Sequence, residues 1–289
     1  MLTTEDILRK VRELEIRSKR LTTHLFAGEY HAAFKGKGMR FREVREYYPG
    51  DDIRFIDWNV SARFSHPFTK VFEEERELTV MLLVDISRSS LFGTVGCRKR
   101  DFATEISAVL GFSAVTNNDK VGAIFFSDRV EKYIPPKKGR QHTLYIVREL
   151  LGIQPTGKRT RMGEVIRFFS RACKQKSIAF MLSDFAEADF ENDLKVASAR
   201  HEIIGIRIYD PMDMQLPDAG LLQLEDLETG EQAWVDSGDK AVRYQYHQDF
   251  LQQSTRCKQF FRQSGAELLH ISTAEDYVKI LQQFFMRRS

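Results

Sequence analysis

The sequence has few cysteines and no long apolar run, and both absences narrow the class of protein. Its three cysteines, Cys97, Cys173 and Cys257, are far apart and form no C-x-x-C pair. An odd number of scattered cysteines predicts free thiols in a reducing compartment rather than a disulfide framework. No stretch approaches 18 apolar residues, and residues 1–20 are charged and amphipathic instead of basic and then apolar. We therefore predict a cytoplasmic protein without a membrane span.

An excess of one charge is absent as well. The 44 Lys and Arg residues nearly balance the 41 Asp and Glu residues, which gives a formal net charge of +3. A protein that binds the phosphates of nucleic acid carries a stronger basic bias. The two short basic segments, 137–140 and 158–161, are typical of solvated loops. We therefore expect no nucleic-acid partner.

The common catalytic motifs are missing too. The sequence has no G-x-x-x-x-G-K-[ST] phosphate loop, no H-E-x-x-H zinc motif and no G-x-S-x-G nucleophile turn. Its seven histidines show no paired spacing that would bind a metal. These absences favour a protein that is not an enzyme.

The most informative feature that is present is an apolar run that ends abruptly in polar residues. Residues 78–84 are apolar except for Thr79, and Asp85-Ile86-Ser87-Arg88-Ser89 follows at once. Such a run predicts a strand buried on both faces. Open α/β sheets place their ligand sites at the carboxyl ends of strands. One carboxylate and two hydroxyls can hold a hard divalent cation such as Mg²⁺ there, although Asp and Ser also start ordinary turns.

Two further loops carry residues of the same kind. Thr160 stands in the loop 156–161, directly before a predicted helix, where a simple helix cap is the alternative interpretation. Asp184 follows a second apolar strand, 178–182, much as Asp85 ends the first. Three loops on one sheet edge would then supply three hydroxyls and two carboxylates. We predict a metal site formed by Asp85, Ser87, Ser89, Thr160 and Asp184.

Strands and helices alternate from residue 78 to the end of the chain. This alternation predicts an α/β fold with a doubly wound, mostly parallel sheet. Before it we predict an amphipathic helix from Thr3 to about Phe26, capped by Thr3 and Asp6, which docks on the body of the protein or on a partner. We divide the chain into residues 1–77, with the helix and an irregular or β platform, and residues 78–289, with a hairpin insertion near 218–238.

The platform, 28–76, shows no sustained periodicity and combines aromatic residues with Arg and Asp. Its aromatic residues Tyr47, Phe55 and Trp58 are interpreted as packing anchors, with direct partner contact as the alternative. The arginines can pair with nearby aspartates or contact acidic groups of a partner. The residues involved are Arg45, Arg54 and Arg63, with Asp51, Asp52 and Asp57.

These motifs resemble a known family. The order and spacing of the five predicted site residues resemble the von Willebrand factor A domain and its metal-ion-dependent adhesion site. The blocks 50–58, 62–63, 72–76, 183–185 and 227–230 are similar to the domain-of-unknown-function 58 family, and this resemblance covers nearly the whole chain. Some members of that family carry amino-terminal membrane helices, which we do not expect here. Members are often encoded beside a MoxR-type AAA+ ATPase.

The resemblance implies an adaptor that captures an acidic side chain of a protein partner. Asp85, Ser87, Ser89 and sometimes Thr160 would hold Mg²⁺, or another divalent cation, directly, and Asp184 would act through water. A partner's Asp or Glu would fill the open position, and the partner would be a MoxR-type ATPase or its client. The alternative is a Mg²⁺-dependent phosphoryl-transfer enzyme or phosphate ester hydrolase, for which the sequence offers no well-spaced general base.

Overall fold

The structure, a computed structural model, describes residue 9 and residues 12–17, 40–73, 78–157, 160–186, 190–227 and 229–288. Contacts divide the chain into two compact units, Met1–Ala33 with Thr79–Ser289 and Phe34–Leu78. The two units meet between Leu78 and Thr79 and Met1–Ala33 is grouped with the larger one, whereas our division keeps residues 1–77 together.

The described part of the amino-terminal helix explains that grouping. Residues 12–17 are helical, and Leu14 packs against a cluster in the larger unit that includes Phe112 and Val147. Arg17 forms an ion pair with Glu105 at 2.7 Å. This part of the helix docks on the body of the protein, as one of our two alternatives expected. The predicted cap at Thr3 and Asp6 lies outside the described residues.

The larger unit contains eight strands and seven helices among its described residues, apart from the amino-terminal helix and one short 3-10 turn. In chain order they are β3 (Thr79–Asp85), α2 (Lys99–Thr116), β4 (Lys120–Phe126), β5 (Val130–Lys137), α3 (Arg140–Gly152), α4 (Met162–Ala172), β6 (Ile178–Ser183), α5 (Glu191–Ser198), β7 (Glu202–Tyr209), α6 (Pro211–Met214), β8 (Leu221–Glu225), β9 (Gln232–Asp236), α7 (Lys240–Gln263), β10 (Glu267–Ser272) and α8 (Tyr277–Arg288). The predicted alternation of strands and helices is confirmed.

Six of these strands form the central sheet. Its order is β10-β7-β6-β3-β4-β5, and every neighbouring pair is parallel except β4 with β5. The chain adds β4 and β5 on one side of β3 and then returns to add β6, β7 and β10 on the other. The change of direction falls between β3 and β6, and ligand sites of doubly wound sheets lie at such a switch point.

The core lies on both faces of the sheet. Met81 and Leu83 of β3 belong to a cluster with α4, α5 and α7 on one face. Strand residues alternate between the two faces, so Leu82 is directed to the other face, where it lies near Gly111 of α2. Strand β3 is buried from Val80 to Asp85, which agrees with the apolar run that predicted it.

Two element bounds have identifiable physical reasons. Strand β5 continues through Pro135 and Pro136 to Lys137. Because β5 is the edge strand of the sheet, prolines cost it few ladder hydrogen bonds. The last helix begins at Tyr277, since the amide of Glu275 bonds to the carbonyl of Ser272 in a turn. The hairpin predicted near 218–238 is present as β8 and β9.

The smaller unit takes the β form of the irregular or β platform that we predicted. Strand β1 (Arg40–Glu46) pairs antiparallel with β2 (Phe68–Glu73), and helix α1 (Trp58–Phe64) lies between them in the chain. The Asp57 carboxylate caps α1 by accepting from the amides of Asn59 and Val60. Sequence periodicity is weak here because a bulge interrupts the alternation of a two-stranded ribbon.

The side chains of this unit show how two of its arginines and one of its aromatic residues are used. Arg45 is bidentate to Asp51 at 2.8 Å, so this arginine pairs within the chain. Arg54 likewise donates two hydrogen bonds from its guanidinium to the carboxylate of Asp52. Trp58, however, is 71% exposed, so it is not a packing anchor.

Candidate functional site

The candidate site lies where the sheet changes direction. Asp85 is the last residue of β3, and Asp184 directly follows the neighbouring strand β6. The two strands pair in parallel register up to Val84 and Leu182. Parallel strands end at the same edge, so the carboxylates of Asp85 and Asp184 are brought together there although 99 positions separate them in the chain.

Asp85 is buried, with 3% of its surface exposed, and both of its oxygens are engaged. Its Oδ1 accepts from the backbone N–H of Ser87 at 2.9 Å, which forms the turn after β3. Its Oδ2 accepts from the hydroxyl of Ser183 at 2.6 Å, which ties that turn to the end of β6. The carboxylate therefore fixes the relative position of the two loops.

The two serines of the motif point their hydroxyls at each other. The Ser87 and Ser89 oxygens lie 3.0 Å apart. The carbonyl of Ser87 accepts from the hydroxyl of Ser90 at 2.6 Å, and this contact stabilises the short 3-10 turn Arg88–Leu91. The turn therefore presents two hydroxyl oxygens side by side next to Asp85.

Asp184 has a different set of partners. Its Oδ2 lies 3.2 Å from the ammonium nitrogen of Lys99, the first residue of α2. The same ammonium lies 3.2 Å from Oδ2 of Asp213 in α6. Only 8% of the Lys99 side chain is exposed. Lys99 is therefore a buried cation shared between two carboxylates.

The backbone after Asp184 is held in an uncommon conformation. Phe185 has φ of +51°, in the left-handed region that non-glycine residues rarely adopt. Its buried ring packs edge-on against Phe261 at 5.1 Å between centroids. Such strain persists only where surrounding contacts fix it, and it concentrates at functional sites.

The loop that carries Thr160 is held by a single carboxylate, that of Glu131. One of its oxygens accepts from the amides of Thr156 and Gly157, at 2.9 and 2.8 Å, and from the hydroxyl of Ser127 at 2.6 Å. The other accepts from the hydroxyl of Thr156 at 2.8 Å. Three of these hydrogen bonds attach the loop to the start of the neighbouring β5, and the fourth attaches Ser127 in the turn after β4.

Gly157 allows the loop to come this close. A side-chain carbon at this position would lie 2.1 Å from Oδ1 of Asp128, so a larger residue would move the loop. Arg161 donates its amide to the carbonyl of Ser127, which directly follows β4. Thr160 is therefore placed, 9% exposed, at the same sheet edge as Asp85.

The two carboxylates differ in their electrostatics. Burial raises the pKa of Asp85 to about 7, and the negative charge of Asp184 adds to this effect. Burial also acts to raise the pKa of Asp184, but the charge and hydrogen bond of Lys99, with a further bond from Ser89, outweigh it and lower that pKa. Asp184 is therefore the ionised member of the pair and Lys99 its counter-ion.

The donor set fits a hard divalent cation of the Mg²⁺ type. Two carboxylates and two hydroxyls lie on one edge, and all are oxygen donors of the kind that Mg²⁺ prefers. Neighbouring ligands of an octahedral Mg²⁺ lie about 3.0 Å apart when each metal–oxygen bond is about 2.1 Å, which is the separation of the Ser87 and Ser89 hydroxyls. Within the described ranges, no three or more His, Cys, Asp or Glu side chains are grouped to hold a metal. A site here would thus depend on hydroxyl ligands.

Direct contacts join four of the five predicted site residues, Asp85, Ser87, Ser89 and Asp184, and backbone hydrogen bonds bring the loop of Thr160 to the same edge. Lys99 and Asp213 also belong to the site, although their sequence motifs did not predict them. A signal existed for the lysine, because a cation in the first turn of a helix is unfavourable unless carboxylates compensate it. No local pattern indicates which carboxylates those are.

The sheet order and the position of the site define a von Willebrand factor A-like α/β domain. A solved structure supports this fold, that of an aerotolerance-related membrane protein from Bacteroides fragilis, with a TM-score of 0.52 and 16% identity over 73% of this chain and 98% of that one. The von Willebrand factor A domain of SpRpn10 gives a TM-score of 0.41 and 15% identity, over 71% of this chain and 94% of that one.

The family is shown by the sequence. The model of the family described as "Protein of unknown function DUF58" matches residues 43–256. "Uncharacterized protein Rv1480" of Mycobacterium tuberculosis is 31% identical over 96% of this chain and 88% of its own length. "Uncharacterized protein YeaD" of Bacillus subtilis is 35% identical over 37% of this chain and 25% of its own length. The chain belongs to the DUF58 family.

Two further observations concern membrane-spanning helices and the state of the cysteines. No helix in the described parts of the chain combines the length and apolar character that crossing a membrane requires. Cys97, Cys173 and Cys257 are free thiols, which confirms the expectation drawn from their spacing.

Proposed function

We propose that this protein captures an acidic side chain of a partner protein through a divalent cation, Mg²⁺ in the first instance, at the β3–β6 edge. The observation that carries the proposal is the meeting of Asp85 and Asp184 with two hydroxyl oxygens 3.0 Å apart at the switch point of the sheet. Asp85, Ser87 and Ser89 would hold the ion, with Thr160 as a further ligand and Asp184 acting through water.

The composition of this ligand set supports capture of a carboxylate. When bound, the ion would supply an electrophilic position that is open to an incoming acidic group. Hydroxyl ligands leave more positive charge on a metal than carboxylate ligands do, so the preference for an anionic ligand is strong. Asp85 and Ser183 fix the two loops on which this preference depends.

The expected partner is a MoxR-type AAA+ ATPase or a client of that ATPase, because the family resemblance implies it. The expected location is the cytoplasm, where free thiols persist. The enzymatic alternative, hydrolysis or transfer of phosphate esters, predicts turnover that depends on a divalent cation, and a substrate screen with and without Mg²⁺ tests it.

The main test is a pull-down from native cells in Mg²⁺ and in EDTA. We expect Asp85→Ala to abolish the capture of those proteins that the wild-type chain retains only in Mg²⁺. Circular dichroism is expected to show an intact fold. Asp193→Ala is the matched control, because Asp193 of α5 pairs with Arg167 of α4. Capture that survives both Asp85→Ala and chelation would contradict the proposal.

A further inference from the structure

Lys99 places a positive charge inside the candidate site. Its side chain lines the same cleft as Asp85, Ser89 and Asp184. The ammonium nitrogen lies 3.2 Å from Asp184, and the neighbouring carboxylates keep its pKa raised although burial acts to lower it. Asp184 therefore already has a cationic partner within the candidate site.

The cleft leaves little room for a second cation. Its volume is about 10 Å³, which corresponds to one water-sized sphere. A protein-bound Mg²⁺ keeps several of its waters, so the ion with its hydration shell needs more space. A hydrated divalent cation that approached Asp184 through this cleft would therefore displace the Lys99 ammonium.

The structure offers the ammonium a second position. Lys99 and Asp184 also line a neighbouring cavity of about 380 Å³, together with Asp213, Tyr246 and Asp249. The Oδ2 of Asp213 already lies 3.2 Å from the ammonium, and this oxygen is held by the backbone amide of Asp210 at 2.8 Å. A short swing into this cavity would keep Lys99 paired.

We propose that Lys99 is a tethered cation that competes with the divalent ion for Asp184 and retreats to Asp213 when the ion binds. This inference rests on the proposed metal site. It adds that the affinity of the site is set by an exchange between two cations, and that ion binding at the sheet edge changes the contacts of α6. Asp213 is then a positioning residue for the exchange rather than a ligand.

The test measures Mg²⁺ binding by isothermal titration calorimetry on the full chain after EDTA treatment and dialysis. Lys99→Met removes the competing charge at similar length, and we expect Mg²⁺ to bind about tenfold more tightly. Asp213→Asn removes the alternative partner but keeps an oxygen that can accept from the Asp210 amide, and we expect binding about threefold weaker. The gain of Mg²⁺ affinity in one variant and its loss in the other distinguish competition from a general loss of structure at the site.

If Lys99→Met does not fold, Lys99→Gln gives a neutral side chain that still donates a hydrogen bond to Asp184, and the same tightening is expected. Tighter binding in the Lys99 variants than in a wild-type chain that binds Mg²⁺ supports the exchange. Binding in the Lys99 variants alone would show that Lys99 blocks the ion and does not retreat from it, which overturns both the exchange and the proposed function. Equal or weaker binding in these variants than in a wild-type chain that binds Mg²⁺ overturns the exchange and leaves the metal site standing. Absence of binding in every chain overturns both.

Discussion

Asp184 at the sheet edge and Asp52 in the smaller unit each bind a cation, but they do so in different surroundings. The Lys99–Asp184 pair has side chains that are 8% and 15% exposed, whereas those of the Arg54–Asp52 pair are 83% and 35% exposed. Both pairs lower the pKa of their carboxylate, that of Asp52 to about 2. The same chemistry therefore has different consequences for stability, because water solvates the charges of one pair and is excluded from the other.

The largest expected effect comes from removing the buried cation without a metal present. Lys99→Met leaves the largely buried Asp184 and the partly exposed Asp213 without their counter-ion, and we expect the free energy of unfolding to fall by about 3 kcal/mol at neutral pH. Urea denaturation in EDTA, followed by circular dichroism, measures this change. An unfolding free energy equal to that of the wild-type chain would show that the buried pair and the exposed pairs do not differ.

A smaller effect is expected at His201, which is buried but has no counter-ion. The residue is 2% exposed, its ring packs against Phe169 in a tilted arrangement with 4.6 Å between centroids, and neither ring nitrogen has a hydrogen-bond partner among the described residues. Burial lowers the pKa of His201 to about 4, and the charge of Arg200 adds to this. The unfolded chain thus binds the proton more readily than the folded chain does, so stability is lost as the pH falls from about 6.5 towards 4.

The variant His201→Phe tests this prediction. Between pH 7.5 and pH 5 we expect it to lose about 1 to 2 kcal/mol less stability than the wild-type chain. Denaturation midpoints at the two pH values give the comparison, and the exposed His66 of the smaller unit, replaced by Gln, serves as control. If His201→Phe lost as much stability between pH 7.5 and pH 5 as the wild-type chain, protonation of the buried imidazole would not contribute to the loss.

The smallest effect is expected in the exposed pair. Arg54→Ala removes a guanidinium whose partner Asp52 also caps the short turn Ile53–Phe55 through the amide of Arg54. The cap uses the backbone and remains after the substitution, and water replaces the guanidinium. We expect no measurable shift of the melting temperature in scanning calorimetry. A loss as large as that of Lys99→Met would remove the distinction between the two surroundings.

Sequence patterns predicted the parts of the site that depend on local structure. The apolar runs ending at Asp85 and before Asp184 located two strand ends, because a strand buried on both faces must be apolar throughout. The turn of Ser87 and Ser89 follows from the same segment. The platform was predicted less well: β1 was missed because a short two-stranded ribbon leaves a weak pattern, and Trp58 was interpreted as a packing anchor although it is exposed.

The sequence by itself determined the α/β class, the family and the polar residues at the strand ends. Only the tertiary structure decided what surrounds them. Lys99 reaches Asp184 across 85 positions and Asp213 across 114, and these contacts depend on the strand order β7-β6-β3, which no local periodicity encodes. Whether a carboxylate at a strand end faces water, a metal or a lysine is set by these distant neighbours, since burial and nearby charge fix the free energy of an ionised group.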